Sequence, residues 1–496
     1  MGIEADKMTL IPDFSFTSIQ WVLSILYLVT ILFICLMIIF QNKAPVKTLS
    51  WVLVILLIPF VGILIYIFFG QDYRKQKIFS RKGLKNLVRI SDHAALQKVS
   101  VDEILMAESD EVRSKSHIIK LMLNNDNAIL TRHNHIDILL DGDQTFPAML
   151  DSIRNAKRFI HMQFYRFEFD ELGREFISVL EEKAALGVEV RIIFDDVGSW
   201  NFPSSTIKEM MKSGVKLHPF MPVRFPHLTN KINYRNHRKI LVVDGNHGFI
   251  GGLNLARKYL FGLKDLGQWR DTHLRITGEA VASLNSVFLT DWYFVSGEVP
   301  IPEADYFKTD LKYPKCLVQV TSCGPDSDWA SIMQVYFASI ATAVKRILIA
   351  TPYFSPDDSI LTALKTSSLS GTEVMMLLPA RADSSIADWN TKSYISELIE
   401  AGIRVFLFNK GFNHSKYMVV DDVLSVVGSA NVDMRSFDLN FEVAALIYDK
   451  GFAGSLTEVF FNDLGNARKI EAEEWESRRK ISRYKESLAR ILGPLY

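Results

Sequence analysis

The chain has 496 residues, enough for two or three domains with sizeable cores. Its 56 basic and 56 acidic residues cancel, so no global field points to nucleic acid as a partner. Three cysteines (Cys35, Cys316 and Cys323) make no disulfide framework and no Cys/His cluster suggests a metal, so free thiols are expected and neither a metal nor a cofactor is.

The N-terminal region is the most apolar. Trp21 to Phe40 carries no charge and, at 1.5 Å per residue in a helix, reaches roughly 30 Å. Trp51 to Phe69 is a second uncharged run, and Pro59 and Gly62 within it are tolerable in a membrane helix. Together they predict a transmembrane hairpin with spans at about 21–40 and 51–69, forming an anchor over residues 1–70. A cleaved signal peptide fits badly, because Glu4, Asp6 and Asp13 outweigh Lys7 and the apolar run is too long. Arg74, Lys75, Lys77, Arg81, Lys82, Lys85 and Arg89 follow the second run. By the positive-inside rule this flank is cytoplasmic, which places the rest of the chain inside and the linker Gln41–Ser50 outside. The same basic run also suits contact with anionic headgroups, and both readings stand.

Residues 71–112 read as a basic helical connector. Beyond it the chain repeats itself. Lys157–Tyr165 parallels Lys345–Tyr353, Gly187-Val-Glu-Val parallels Gly371-Thr-Glu-Val, Gly214-Val-Lys-Leu parallels Gly402-Ile-Arg-Val, and Phe288–Asp291 parallels Phe460–Asp463. β-Branched runs alternate with amphipathic stretches such as Glu171–Leu186 and Thr391–Ala401, which argues for layered α/β structure. Two such halves, 113–310 and 311–496, predict a pseudo-twofold pair. An insertion is expected in the first half between Leu217 and Tyr234, where Met221, Val223 and Phe225 suit either core or bilayer. The charged tail, with Ile481, Tyr484, Leu488 and Ile491 at helical spacing, predicts an ordinary packed helix.

The densest repeat joins NYRNHRKILVVDGNHGFIGGLN (Asn233–Asn254) to GFNHSKYMVVDDVLSVVGSAN (Gly411–Asn431). Each copy contains His-x-Lys-x-x-x-x-Asp, as His237, Lys239 and Asp244, then His414, Lys416 and Asp421. Each continues to a small-residue pair and an Asn, as Gly251, Gly252 and Asn254, then Gly428, Ser429 and Asn431. His and Lys two apart on an extended segment share a face. Asp244-Gly245 and Asp421-Asp422 are turn signals, so a hairpin would bring each Asn back beside its His. That geometry leaves the Asp at the far tip, roughly 20 Å away. On spacing alone His, Lys and Asn build the site and the Asp builds the turn.

These paired motifs are the HKD signature of the phospholipase D superfamily. The flanking NYRNHRK (233–239), WRDTH (269–273) and GSANVDMRSFDLNFE (428–442) resemble the bacterial cardiolipin synthases over nearly the whole chain. The resemblance implies two phospholipase D-type α/β/α sandwich halves behind the membrane hairpin, with one site at their interface. It implies His237, Lys239, Asp244, His414, Lys416 and Asp421 as catalytic residues. Histidine suits the chemistry as nucleophile and as acid or base near neutral pH. Lys239 and Lys416, with Asn254 and Asn431, would hold phosphoryl oxygens without a metal. Asp271 and Glu442, at matching places after the two motifs, would orient the histidines, with the choice between own and opposite half left open. Ser429 adds a hydroxyl where the first copy has Gly252, and Arg435 and Ser436 match the run lining the site. Where the family often has acidic residues before a tyrosine, Arg257 and Lys258 precede Tyr259 here, which leaves the acceptor preference in question.

The implied activity joins two phosphatidylglycerol molecules into cardiolipin and glycerol, through a phosphatidyl-histidine with His237 as nucleophile and His414 as acid and base. The symmetry of the copies leaves the reverse order open. Phosphatidylglycerol and anionic membrane lipid are the expected partners, in the cell membrane of a bacterium, with a multi-pass anchor and the oligomeric state undetermined. The rivals are a membrane-bound phospholipase D-type hydrolase, a phosphatidyltransferase to another alcohol, and a non-catalytic membrane scaffold.

Overall fold

Alternating β-branched runs form the strands of one large mixed sheet, and the amphipathic stretches form helices upon it. The computed structural model describes residues 16–40, 45–66, 90–223, 233–298, 306 and 313–493. The chain divides into two units, Met1–Asp72 and Tyr73–Tyr496.

In the larger unit the first seven main strands are β1 (Thr131–Leu140), β2 (Phe159–Phe164), β3 (Glu189–Asp195), β4 (Lys216–Phe220), β5 (Ile240–Val243), β6 (His247–Gly251) and, after the short β7 (Gln268–Arg270), β8 (Thr272–Gly278). Their counterparts are β9 (Lys315–Cys323), β10 (Arg346–Ala350), β12 (Glu373–Pro379), β13 (Arg404–Phe408), β15 (Tyr417–Val420), β16 (Leu424–Gly428) and β18 (Glu442–Tyr448). The short β11 (Phe354–Ser355), β14 (Gly411–Asn413) and β17 (Val432–Asp433) lie outside the large sheet, and β19 (Ala467–Lys469) closes one edge. The sheet order is β19-β13-β12-β10-β15-β16-β18-β9-β1-β8-β6-β5-β2-β3-β4. Read outward from the β9–β1 seam, both directions give the same succession, apart from β19. The seam itself is antiparallel, with Thr131 opposite Val318.

Helices fill the faces for ordinary reasons. Asp170 caps Glu171–Ala185 by accepting from the Gly173 amide at 3.0 Å, and Leu172, Phe176, Ile177 and Leu180 turn inward at helical spacing. The second amphipathic stretch divides into Ser385–Ser393 and Ile395–Glu400. The connector is helical over Ile90–Met106 and Asp110–Arg113. Residues 71–89, with their basic cluster, lie outside the described residues, as does Phe225. Met221 and Val223 of the expected insertion are buried, and Met221 packs with Phe220 and Tyr234 in the core.

The tail departs from expectation. Its helix, Lys480–Leu492, packs on Ser385–Ser393, but the face turned inward carries Glu486 and Ala489. Arg478 pairs with Glu486 at 2.7 Å, and the Arg490 guanidinium lies 4.1 Å over the Tyr394 ring. These polar contacts set the helix rotation, so Ile481, Tyr484, Leu488 and Ile491 all face out.

The small unit holds helices Phe16–Phe40, Pro45–Leu57 and Pro59–Ile65. Leu23–Phe40 has a mean hydropathy of 2.9 and is long and apolar enough to cross a membrane. The second apolar run is broken, because Pro59 offers no amide and Ile58 adopts φ −136°, ψ 68°. Residues 67–69 of the expected 51–69 span lie outside the described residues. Ile31, Cys35 and Ile38 bury themselves against Ile55 and Tyr66, while Leu26, Phe33 and Phe60 face outward.

Candidate active site

Each motif begins where its chain is pinned to the opposite half. The His237 amide donates to the Phe441 carbonyl at 2.9 Å, and the His414 amide to the Arg270 carbonyl at 2.7 Å. Phe441 and Arg270 directly precede Glu442 and Asp271, so the backbone contact brings each carboxylate to the other half's histidine. His237 Nδ1 lies 2.9 Å from Glu442 Oε1 and 3.1 Å from Oε2. His414 Nδ1 lies 2.6 Å from Asp271 Oδ2. The pairing is crossed in both directions. The asparagine before each histidine fixes the turn, with Asn236 Oδ1 accepting from the Arg238 amide at 3.1 Å and Asn413 Oδ1 from the Ser415 amide at 3.0 Å.

A carboxylate can only accept, so it matches an Nδ1–H and leaves the Nε2 lone pair of each ring for chemistry. Both lysines are buried beside these pairs. Lys239 Nζ donates to the His237 carbonyl at 2.7 Å and sits 5.6 Å over the Tyr165 ring, whose centroid is 5.1 Å from the His237 ring. Lys416 Nζ donates to the His414 carbonyl, and lies 2.7 Å from His414 Nδ1 and 4.0 Å from Asp271.

Burial disfavours charge throughout. It pushes His237 down to about 4, with Glu442 opposing and Lys239 adding to the shift. His414 is held well below the ordinary imidazole range by burial, then by Lys416 and Lys239. Burial brings Lys416 down to about 8 against the pull of Asp271 and Glu442. Lys239 is lowered as well, for the same first reason. For Glu442 burial acts upward, yet His237 and Lys239 hold its carboxyl below the usual value. Burial likewise pushes the Asp271 carboxyl up, against the pull of Lys416, so charge is disfavoured on both histidines and both lysines of the site.

Ser429 donates to Glu442 Oε2, and Asn440 Nδ2 donates to Oε1 at 3.2 Å. At the matching place in the first half a Cβ on Gly252 would run into the Asp271 carboxylate, so glycine is required there. Asn254 donates to the Tyr259 hydroxyl at 2.7 Å. The Asn431 amide donates to Ser436 Oγ at 3.2 Å, and its Oδ1 is buried with no hydrogen-bond partner among the described residues.

The two motif aspartates lie elsewhere. Asp244 and Asp421 open three-residue turns between β5 and β6 and between β15 and β16, each with positive φ (54° and 55°) followed by a second positive φ. Asp244 accepts from the Arg158 and Phe159 amides at 2.7 and 2.9 Å. Asp421 accepts from the Lys345 amide at 2.7 Å and from buried Lys115 at 2.5 Å. They tie the hairpin tip to the neighbouring strand, the turn position expected from the hairpin length. Asp421→Ala leaves Lys115 buried without its counter-charge, which costs roughly 3–5 kcal/mol. The expected result is a Tm lowered by several degrees with kcat retained below the transition, read by calorimetry beside an activity assay.

Residues that the motifs do not mark hold the crossed contacts. Arg238 donates from Nε to the Glu442 carbonyl at 3.1 Å and pairs with Asp291, while Arg270 meets Asp463 at 2.9 Å and Asp141 at 3.2 Å. Asp195 accepts from Arg235 at 3.1 Å and from the Asn236 amide at 2.8 Å. The internal repeat had placed Asp291 and Asp463 in register, which was the available signal for both. Among the described residues no group of His, Cys, Asp and Glu has the arrangement of a metal site.

A family model described as "Cardiolipin synthase, PLD-like domain" matches residues 149–292 and again 336–464, and one described as "Phospholipase D-nuclease N-terminal" matches 22–71. Cardiolipin synthase 2 of Bacillus anthracis is 41% identical over 459 residues, covering 92% of this chain and 88% of that one. Cardiolipin synthase of Geobacillus thermodenitrificans is 39% identical over 496 residues, covering 98% and 96%. Among solved structures, phosphatidylserine synthase of Haemophilus influenzae superposes with a TM-score of 0.57 at 17% identity, covering 76% of this chain and 96% of that one, a likeness of fold. With this extent of identity and both halves matched, the chain belongs to the bacterial cardiolipin synthases of the phospholipase D superfamily.

Proposed function

We propose that the chain transfers a phosphatidyl group from one phosphatidylglycerol to the free hydroxyl of another, forming cardiolipin and releasing glycerol. The observation that carries this reading is the crossed pair of histidines, each free at Nε2 and each held by the opposite half's carboxylate. His237 Nε2 attacks phosphorus, and the P–O bond to glycerol breaks as His414 gives that oxygen a proton. The acceptor hydroxyl then yields its proton to His414 and attacks phosphorus, and the P–N bond to His237 breaks. Lys239, Lys416 and the two asparagines steady the phosphoryl oxygens. The donor phosphodiester brings the negative charge that lets His414 hold its proton when it is needed.

Residues 1–70 act as the membrane anchor, with Phe16–Phe40 crossing the bilayer and the broken second run returning, so that residues 71–112 and the halves 113–310 and 311–496 stand in the cytoplasm of a bacterium. The outward apolar faces of the small unit support this, as does the exposed stripe Ile481, Tyr484, Leu488 and Ile491 beside Lys480, Arg483 and Lys485, a pattern suited to an anionic lipid surface. The mirrored strand order supports the division into halves.

Purified protein in detergent with phosphatidylglycerol alone is expected to yield cardiolipin and glycerol in equal amounts. Phosphatidic acid and glycerol without cardiolipin would make water the acceptor and overturn the reading.

A further inference from the structure

Two cations flank the histidine pair without being part of it. Lys258 stands four residues after Asn254, and Arg435 four after Asn431, so they occupy equivalent places in the two halves. Neither side chain forms an ion pair among the described residues. Lys258 is half-buried, with its Nζ 5.3 Å over the Tyr259 ring and 5.2 Å over the Trp269 ring. Trp269 in turn lies 5.1 Å from the His414 ring, which puts the Lys258 ammonium within about 10 Å of that histidine. Arg435 acts electrostatically on Tyr165, the neighbour of His237.

A lysine half-removed from water over two ring faces, with no carboxylate in ion-pair contact among the described residues, has room to take an anion. Arg166 adds a second positive charge nearby and is already paired with Glu168 at 2.8 Å. The acidic neighbours that act on Lys258 are Glu168, already engaged by Arg166, and Asp383, which accepts from the Tyr353 hydroxyl.

The proposed reaction involves two phosphates but transfers through one. Lys239 and Lys416 serve the reacting phosphate. The acceptor lipid carries a second phosphodiester, and the glycerol between its hydroxyl oxygen and that phosphorus spans roughly 6 Å. Its hydroxyl must reach His414, so its phosphate lies one glycerol length further out, a distance at which Lys258 can meet it. We infer that Lys258 binds the non-reacting phosphate of the acceptor lipid and thereby selects an anionic glycerophospholipid over a neutral alcohol. The inference rests on the transferase reading and on His414 as the base for the acceptor. Lys258 is thus a specificity residue, distinct from the groups that touch the reacting phosphorus.

The test uses the full chain in mixed micelles with two readouts. Exchange of labelled glycerol into phosphatidylglycerol runs through the same intermediate but needs no second phosphate. Cardiolipin formation as a function of phosphatidylglycerol mole fraction needs it. K258M is expected to raise the half-saturating mole fraction for cardiolipin formation tenfold or more, K258E further still, and K258R less than threefold. Glycerol exchange should change less than threefold in all three, which also shows that the variants are folded. Cardiolipin formation within threefold of wild type in K258M and K258E, or both readouts falling in parallel, would overturn the inference. The same split appearing in R435M instead would also overturn it and would exchange the two histidines' roles. Wild-type protein that exchanges glycerol yet forms no cardiolipin would remove the transferase reading itself.

Discussion

His237→Ala is expected to abolish both cardiolipin formation and glycerol exchange, with a loss of roughly 10⁴-fold or more, because no covalent intermediate forms without the attacking nitrogen. His414→Ala is expected to be nearly as damaging with phosphatidylglycerol, by about 10²–10⁴-fold, since glycerol leaves poorly without a proton. The two variants separate with a phosphatidyl nitrophenyl ester, whose leaving group needs no acid. His414→Ala should then release one burst of nitrophenol per site and gain the mass of a phosphatidyl group on His237. His237→Ala should show neither. A burst from His237→Ala, and none from His414→Ala, would reverse the proposed roles.

The carboxylates give the second large effect. Glu442→Gln and Asp271→Asn preserve shape but present an amide to Nδ1, which no longer secures the tautomer with Nε2 free. Each is expected to lower turnover by roughly 10²–10⁴-fold. The losses should cross between halves. Glu442→Gln slows the nitrophenol burst, the step assigned to His237, whereas Asp271→Asn leaves that burst largely intact and slows turnover with phosphatidylglycerol. If each substitution instead weakened the step assigned to the histidine of its own half, the contacts at 2.9 and 2.6 Å would not be those used in catalysis.

How much of this was legible beforehand depended on distance along the chain. Strands β5 and β15 follow from apolar runs of four residues beside a turn signal, and they form where those runs predict. The turn role of Asp244 and Asp421 followed from hairpin length, even though the resemblance counted both among the catalytic residues. Glu442 and Asp271 could be picked out, but not their partners, because separations of 205 and 143 residues are settled by the sheet seam and not by local spacing. The tail helix shows the limit of periodicity. Its apolar stripe is real, yet the Arg478–Glu486 pair and Arg490 over Tyr394 set which face packs. The second apolar run was read by composition, and one proline decided its geometry.

The exchange of carboxylates between halves means that neither half is chemically complete. A lone unit with one motif has a histidine whose acceptor is missing and an acceptor with no histidine. Two identical units docked about a twofold axis would supply each other, at the cost of depending on their concentration. Joining the copies in one polypeptide replaces that dependence with a fixed effective concentration. It also frees the two sides to diverge, and Gly252 against Ser429, or Lys258 against Arg435, are differences that a symmetric dimer could not hold. The covalent link thus allows one histidine's surroundings to specialise for the departing alcohol and incoming lipid without altering those of the other.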